Sequence, residues 1–263
     1  MKTIAVLVAL ALAPLISAAN YNVKRELIMS GEVVPSGTKT YVTGLRSSPS
    51  GNAKCGGSLI TPTHVLSASH CVDYDVRWVS IGTHYRNGSQ DGEQIRVVSV
   101  MNHPNYSENV LYADDFLVLE LERPSKFNPV KLATADDADF KAGKWATTMG
   151  WGTDREVNGT RSYELKRVDL QLLSDQACAA NATIDSSNIC AGGVLNHDAC
   201  FGDSGGPLIV KEADSADDVL IGMVSWSKDD TCGREGYPSV FSRVSHARAW
   251  IDSITSGNGT CMS

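Results

Sequence analysis

Short runs of β-branched and apolar residues, separated by clusters of Gly, Asn, Asp and Pro, constrain the fold of this chain more than any other feature. Such runs predict β-strands, and their regular spacing predicts an all-β sandwich or barrel. Only Val244–Ile254 differs, because its apolar residues recur at spacings of three and four, which predicts a C-terminal helix that Gly257 ends. The predicted strands are Thr40–Leu45, His64–Ser67, Val76–Ile81, Gln94–Val100, Phe116–Leu121, Leu165–Leu172, Pro207–Val210 and Val219–Trp226.

The N-terminus has the pattern of a secretory signal peptide. Lys2 precedes an almost wholly apolar stretch over residues 4–16, and Ser17-Ala18-Ala19 supplies the small residues of a cleavage site. A membrane anchor is the alternative, but the apolar stretch is too short to span a bilayer comfortably. We therefore expect residues 1–19 to be removed and the protein to be extracellular.

Seven cysteines then enter an oxidising compartment, where disulfides persist. Six can pair, and the odd seventh is free or pairs between chains. Asn-x-Ser/Thr sequons, which accept N-glycans in secreted proteins, predict a glycoprotein with several exposed loops. The sequons begin at Asn87, Asn105, Asn158, Asn181 and Asn258.

Composition and charge exclude several classes of protein. Hydrophobic residues make up 42% of the chain, which is enough for a sizeable core and unlike a disordered or fibrous protein. The net charge of −7 argues against a nucleic-acid partner, because phosphate binding needs a basic face. The acidic stretch Glu212–Asp218 is predicted to be a solvated hairpin loop.

The eight residues from Cys200 to Pro207 suggest chemistry. Ser204 is flanked by glycines, whose lack of a Cβ allows a sharp turn and a close approach to a substrate. Acyl transfer needs an exposed hydroxyl beside N–H donors that stabilise an oxyanion, and the N–H groups of Gly202 and Ser204 are candidates for these donors. A glycine-rich turn without function is the alternative, although the full string is much more specific than Ser-Gly-Gly alone.

A serine nucleophile needs a base, and His70 is the distinctive histidine of the six. It follows a strand-like run and adjoins Cys71, which would fix the chain there. The base in turn needs an acceptor for its other ring N–H. Asp115 is the candidate and Asp114 its rival, and adjacent side chains in extended backbone would point to opposite faces.

Several strings together resemble the chymotrypsin/trypsin family of serine proteases, nearly over the whole mature chain. The strings are CGGSLI (55–60), SASHC (67–71), DFLVLEL (115–121), GWG (150–152), CAGG (190–193) and CFGDSGGPL (200–208). The resemblance implies a domain over residues 28–257 with two six-stranded antiparallel barrels, at about 28–138 and 139–243, a helix at about 244–255 and a tail at 258–263. His70 and Asp115 would come from the first barrel and Ser204 from the second. The implied disulfides are Cys55–Cys71, Cys178–Cys190 and Cys200–Cys232, which leaves Cys261 without a partner.

The same resemblance implies a specificity pocket. Asp198, six residues before Ser204, would be its acidic base and select Arg or Lys by charge pairing, and Trp226 would begin its wall. Ser227 and Ser239 stand where the family usually has glycine, so each adds a hydroxymethyl group that hinders a long Arg side chain.

Activation in this family implies a free Ile28 amine that pairs with Asp203 inside the protein. Here Leu27, not a basic residue, precedes Ile28, and the obvious processing site follows Lys24-Arg25. We therefore expect residues 20–27 to be a propeptide whose second cleavage or trimming frees Ile28. No metal is expected, because Thr83 and Gln90 stand where the calcium loop of some trypsins carries carboxylates, although Glu93 fits. No other cofactor is expected.

The chain also resembles a narrower group, the secreted glucanase inhibitor proteins of plant pathogens, which share the protease fold but have lost catalytic residues. Gly31–Arg46, Gly82–Glu93 and PSKFNPVKL (124–132) carry this resemblance. Because His70, Asp115 and Ser204 are all present, the sequence favours a monomeric, trypsin-like zymogen that becomes a secreted endopeptidase cleaving proteins or peptides after Arg or Lys. The alternative is an inactive homologue that binds and inhibits a host endoglucanase.

Overall fold

The computed structural model describes residues 31–108, 110–211 and 217–256. The signal peptide, the propeptide, Ile28, Asn258 and Cys261 lie outside these residues.

The described residues form fourteen β-strands and two α-helices. The strands are β1 (Glu32–Val33), β2 (Val42–Arg46), β3 (Cys55–Thr61), β4 (His64–Ser67), β5 (Trp78–Ile81), β6 (Glu93–Asn102), β7 (Leu117–Leu121), β8 (Lys131–Leu132), β9 (Trp145–Gly150), β10 (Lys166–Gln171), β11 (Asn188–Gly192), β12 (Pro207–Lys211), β13 (Asp218–Ser227) and β14 (Pro238–Arg243). The helices are α1 (Asp175–Ala179) and α2 (Val244–Thr255).

The N-terminal half forms a closed antiparallel barrel in the order β2-β3-β4-β7-β6-β5, in which β5 pairs back onto β2. The apolar run that predicted β7 explains its position, since Leu117, Val118 and Leu119 are all fully buried. A strand with both faces covered reads as a continuous apolar run rather than an alternating one. Closure also removes the free strand edges that would otherwise invite aggregation.

The C-terminal half forms a second antiparallel sheet in the order β10-β9-β12-β13-β14-β11. An isolated bridge between Leu172 and Ala191 brings its two ends together. The predicted all-β fold with two barrels and a C-terminal helix is thus confirmed. In α2, Val244, Ala247 and Ile251 are buried, as their spacing predicted.

Two short strands differ from the predicted division into barrels. Both β1 and β8 come from the first half of the chain, yet β1 pairs with β10 and β8 pairs in parallel with β13. Each covers backbone groups of the second sheet that would otherwise lack partners. The N-terminal segment therefore crosses over to the second barrel instead of belonging to the first.

Part of the acidic stretch is not solvated as predicted. Asp218 begins β13, and its side chain is only 7% exposed. Its Oδ1 lies 2.8 Å from Nζ of Lys211, and its Oδ2 accepts a 2.6 Å hydrogen bond from the hydroxyl of Tyr41. Lys39 also pairs with it. Two ammonium groups thus replace the water that a lone carboxylate would need, while residues 212–216 lie outside the described residues.

None of the helices in the described ranges is both long and apolar enough to span a bilayer.

Candidate active site and specificity pocket

The His70 side chain lies at the junction of β4 and a short 3₁₀ turn over Ser69–Tyr74. A disulfide between Cys55 and Cys71 ties this turn to β3. The buried hydroxyl of Ser69 donates a 2.6 Å hydrogen bond to the carbonyl of Phe116 just before β7. These anchors hold the imidazole in one place, as a catalytic base requires.

The carboxylate of Asp115 holds the imidazole. Its Oδ2 lies 2.8 Å from Nδ1 of His70, and its Oδ1 accepts a 3.0 Å hydrogen bond from the His70 backbone N–H. Ser225 donates a further 2.5 Å hydrogen bond to Oδ2. Asp115 is fully buried, so these donors replace its lost hydration. The arrangement places the Nδ1 proton toward the carboxylate, so Nε2, which lies 3.9 Å from the Cys71 sulfur, is the ring nitrogen that can accept a proton.

The rival carboxylate, Asp114, faces other groups. Its Oδ1 lies 3.1 Å from Nε2 of His246 and 3.6 Å from Nδ1 of His103. The two neighbouring aspartates do diverge, but the reason differs from the one predicted. Asp114 has a φ of 50°, in the left-handed region, and so does not belong to an extended strand.

The glycines around Ser204 allow the two barrels to touch backbone to backbone. The Gly56 N–H of β3 donates a 2.7 Å hydrogen bond to the carbonyl of Ser204. A Cβ on Gly56 would lie 2.9 Å from Cα of Gly206, which is too close for any side chain. Gly56 in the CGGSLI string and Gly206 in the CFGDSGGPL string therefore both allow this close backbone contact. The contact brings Ser204 against the barrel that carries His70.

The peptide unit between Phe201 and Gly202 is held by a backbone hydrogen bond. The carbonyl of Phe201 accepts a 3.1 Å hydrogen bond from the N–H of Thr153. Because a trans peptide is planar, the Gly202 N–H on the same unit points the opposite way, away from Thr153. Gly202 has a φ of 104°, which only glycine adopts without strain.

His70 and Ser204 line one cavity of about 160 Å³. Within the described part of the chain no hydrogen bond of 3.5 Å or less joins Ser204 Oγ to His70 Nε2. Such contacts are often long in unliganded sites and shorten when substrate binds.

Asp203 is buried beside this loop. Its carboxylate accepts hydrogen bonds from the N–H groups of Gly152, at 2.7 Å, and Cys200, at 2.9 Å. Burial raises the pKa of Asp203 to about 6, against the lowering effects of these hydrogen bonds and of the Arg161 charge. A Cβ on Gly152 would lie 2.2 Å from the carboxylate, which explains why the GWG string carries glycine there.

The predicted base of the specificity pocket is covered. Asp198 is 1% exposed, and its carboxylate accepts hydrogen bonds from the hydroxyl of Ser239 at 2.6 Å and the N–H groups of Ala199 and Gly233. Burial raises its pKa to about 6, and these hydrogen bonds partly offset that effect. Ser239 and Ser227 line the cavity and Asp198 does not. Hydroxyls of Ser227 and Ser239 therefore stand where the predicted acidic base would be reached, while the exposed Asp230 also lines the cavity.

A larger groove adjoins the pocket at Trp226, which lines both cavities. The groove has a volume of about 1020 Å³, and the rings of Tyr112 and Trp226 stack at its entrance with centroids 6.4 Å apart. Sequence reasoning missed Tyr112 and also Ser225, the donor to Asp115. No motif contains Tyr112, while Ser225 directly precedes Trp226 and could have been examined with it.

The other predicted site residues have the following positions. The structure pairs Cys55–Cys71, Cys178–Cys190 and Cys200–Cys232, as the resemblance implied. Asn105 and Asn158 are exposed. Asn87 and Asn181 are half-buried, with side-chain amides that donate to Tyr163 Oη and to the carbonyl of Ala177.

One cluster of potential metal ligands occurs in the described ranges, namely Cys55, His70 and Cys71. Both cysteines are in a disulfide, so they have no thiolate to offer a metal. Glu93, in the loop compared with calcium sites, is engaged by Arg123, whose Nη1 lies 3.0 Å from Oε2, and by the hydroxyl of Ser125.

Comparison with known proteins agrees with this architecture. The Trypsin family model matches residues 28–251. Glucanase inhibitor protein 2 of Phytophthora infestans is 50% identical over 237 residues, which cover 89% of this chain and 91% of that protein. Glucanase inhibitor protein 1 of the same organism is 47% identical over 258 residues, with 97% and 98% covered. Glucanase inhibitor protein 2 of Phytophthora sojae is 47% identical over 232 residues, with 88% and 80% covered. The chain is a member of the trypsin family.

Proposed function

We propose that this protein is a secreted inhibitor of an endoglucanase, which it binds through the surface of its trypsin-like domain. The observation that carries the proposal is the near-full-length similarity to proteins named glucanase inhibitors. The sequence alone favoured an endopeptidase, and the comparisons shift the balance to the alternative. Function resides in sites rather than folds, so the protease architecture is compatible with either role.

The geometry of the pocket supports this choice. Cleavage after Arg or Lys needs a carboxylate that the substrate cation can reach, but Ser239 covers Asp198. A guanidinium at the base of the cavity would meet the Ser239 hydroxyl instead of a free Asp198 carboxylate, and the exposed Asp230 is the one carboxylate residue among the described residues that line the cavity. Burying the cation without a partner at that base is costly. A partner bound at the outer surface does not need this pocket.

Direct binding tests the proposal. The secreted, mature protein should form a complex with an endoglucanase in calorimetry and in size-exclusion chromatography. The variant Ser204→Ala should bind with the same affinity, because inhibition by binding does not use the hydroxyl. Failure of the protein to bind any member of a panel of plant endoglucanases would contradict the proposal.

A serine endopeptidase activity is the second candidate function. The 2.8 Å contact between His70 and Asp115, together with the turned Gly202 N–H, favours it. His70 would act as base toward Ser204, Asp115 would orient that base, and the N–H groups of Gly202 and Ser204 would stabilise the oxyanion. The covered Asp198 and the hydroxymethyl groups of Ser227 and Ser239 favour small residues at the cleavage site over Arg and Lys.

Labelling with a fluorophosphonate tests this second candidate. Covalent labelling that disappears in Ser204→Ala would indicate a working nucleophile. Absence of labelling, on protein shown to begin at Ile28, would exclude the endopeptidase and leave the inhibitor.

A further inference from the structure

Arg86 and Arg161 differ from most arginines of the described residues. Neither side chain forms an ion pair or a hydrogen bond with another described residue. Exposed Arg96 is the third such arginine. Moreover, Nε of Arg86 is buried without a partner. Arg46 contacts backbone carbonyls, and the remaining arginines face carboxylates, namely Arg77, Arg123, Arg155, Arg167, Arg234, Arg243 and Arg248.

The two arginines come from neighbouring loop segments. The Arg86 N–H donates a 2.8 Å hydrogen bond to the carbonyl of Tyr163, two residues after Arg161. Burial, and then the charge of Arg161, lower the pKa of Arg86. Two like charges held together disfavour each other, so an anion that binds both would relieve their repulsion.

Arg161 also lies against the loop that precedes Ser204. A Cβ on Gly202 would lie 2.7 Å from Nε and 2.8 Å from Cζ of Arg161, so the guanidinium covers this glycine. Arg161 lines neither the pocket nor the groove, and it is therefore placed at a separate part of the site.

Aromatic residues lie close to the two arginines and to Gly202 along the chain. The rings of Tyr85 and Tyr163 lie 5.3 Å apart, and Tyr163 and Phe201 are each 45% exposed. Tyr and Arg are the residue types that carry most binding energy at protein interfaces. We call Arg86, Arg161, Tyr85, Tyr163 and Phe201 the arginine patch.

We propose that the arginine patch binds the pair of catalytic carboxylates in the active site of an endoglucanase. This inference rests on the proposed function and names the part of the partner that is recognised. Most glycosidases use two Asp or Glu side chains that flank the scissile bond, roughly 5 to 10 Å apart. Guanidinium groups match carboxylates by paired N–H donors, and two arginines can engage two carboxylates.

Charge complementarity supports this partner. The chain carries a net charge of −7, so most of its surface repels an acidic cleft. Arg86 and Arg161, which form no ion pair with another described residue, place two cationic groups together beside the loop that precedes Ser204, although the Arg161 charge also acts on the buried Asp203. Occupying both carboxylates would also explain inhibition, since the enzyme would lose its acid and its base or nucleophile together.

Inhibition constants of matched variants test the inference. With an endoglucanase that the wild-type protein inhibits, Arg86→Gln and Arg161→Gln should each weaken inhibition by roughly 30-fold or more, because a partner carboxylate loses its charged donor. Arg161→Lys should lie between wild type and Arg161→Gln, since lysine keeps the charge but not the paired donors. Arg96→Gln, an exposed and unpaired arginine of β6, should inhibit as wild type does.

The partner's side of the contact gives a second measurement. Replacing one catalytic carboxylate of the endoglucanase by its amide should weaken binding of the wild type but add little to the loss in Arg161→Gln. If the loss of binding from the amide substitution and the loss from Arg161→Gln were fully additive, the inference would be overturned and the proposed function would stand. The same would follow if both glutamine variants inhibited as strongly as the wild type. A wild-type protein that binds no endoglucanase would instead overturn the proposed function. Equal thermal unfolding of all variants excludes misfolding as the cause of a loss.

Discussion

The hydroxyl of Ser239 donates a 2.6 Å hydrogen bond to the carboxylate of Asp198, and this contact closes the acidic base of the specificity pocket. A serine at this position on β14 both fills space and satisfies the carboxylate. The Asp198 carboxylate is therefore not presented to an incoming side chain, although the acidic residue is present in the sequence.

Removal of that hydroxymethyl group should uncover the charge. We expect Ser239→Gly to bind a cationic aryl amidine at least about tenfold more tightly than wild type, since a charged hydrogen bond contributes about 1.5 to 3 kcal/mol. Isothermal titration measures the difference. The gain should be absent in the double variant Ser239→Gly with Asp198→Asn, and its persistence there would show that a different group binds the cation.

Any reactivity of Ser204 should depend on Asp115 and not on its neighbour. Asp115→Asn should slow fluorophosphonate labelling by at least about a hundredfold, because the amide no longer holds the reactive tautomer of His70. Asp114→Asn is the matched control, since that carboxylate faces His246 instead. Equal labelling rates for the wild type and Asp115→Asn would contradict the role given to the 2.8 Å contact.

The stability of the fold should depend on the ionisation of Asp203. Burial raises its folded-state pKa to about 6, so the folded protein binds a proton more readily than the unfolded chain. The contribution of the protonated Asp203 carboxyl to folding stability is therefore fully present below about pH 4 and is lost as the pH rises through the folded-state pKa. In protein that retains residues 20–27, the free energy of unfolding, taken as wild type minus Asp203→Asn, should fall by up to about 3 kcal/mol across this range.

Urea unfolding of both proteins between pH 4 and pH 7, within the window that these pKa values define, measures this difference. A difference that grows with pH would contradict the raised pKa. It would indicate that a cation pairs with the carboxylate even where residues 20–27 are retained and no Ile28 amine is free.

Processing at the N-terminus should decide whether such a cation exists. Protein that begins at Ile28 can offer an amine to Asp203, whereas protein that retains Glu26 and Leu27 cannot offer it at the same place. We expect the shorter form to unfold at a higher temperature at neutral pH, because an ion pair compensates a buried carboxylate. N-terminal sequencing and calorimetry of both forms provide the test, and equal unfolding temperatures would contradict it.

The fold could be predicted from the sequence because local patterns and long-range constraints agree. The apolar run of β7 indicates a strand that is buried on both faces. The spacing of apolar residues by three and four in α2 indicates a helix with one buried face. Motif strings then carry a family resemblance that supplies the topology. The crossing of β1 to the second barrel was not predictable, since a two-residue strand has no periodicity to detect.

Distinctive sequence strings supplied the candidate site residues, and the structure joins His70 to Asp115 as expected. Contacts that depend on the approach of distant parts of the chain were missed. His70, Asp115 and Ser204 come from distinctive strings. By contrast, the hydrogen bond from Ser225 to Asp115 spans more than a hundred residues. Asp218 and Lys39, which form an ion pair, are similarly distant in sequence. A run of acidic residues by itself predicts only a solvated loop.

The time course of endoglucanase activity after mixing with this protein tests the central claim most directly. Wild type and Ser204→Ala should produce the same immediate, saturable inhibition of soluble β-glucan hydrolysis, with the endoglucanase remaining intact on a gel. Activity that is unchanged by the wild type would contradict the account. So would a slow loss of activity that accompanies fragmentation of the endoglucanase and disappears with Ser204→Ala, because the protein would then act as a protease.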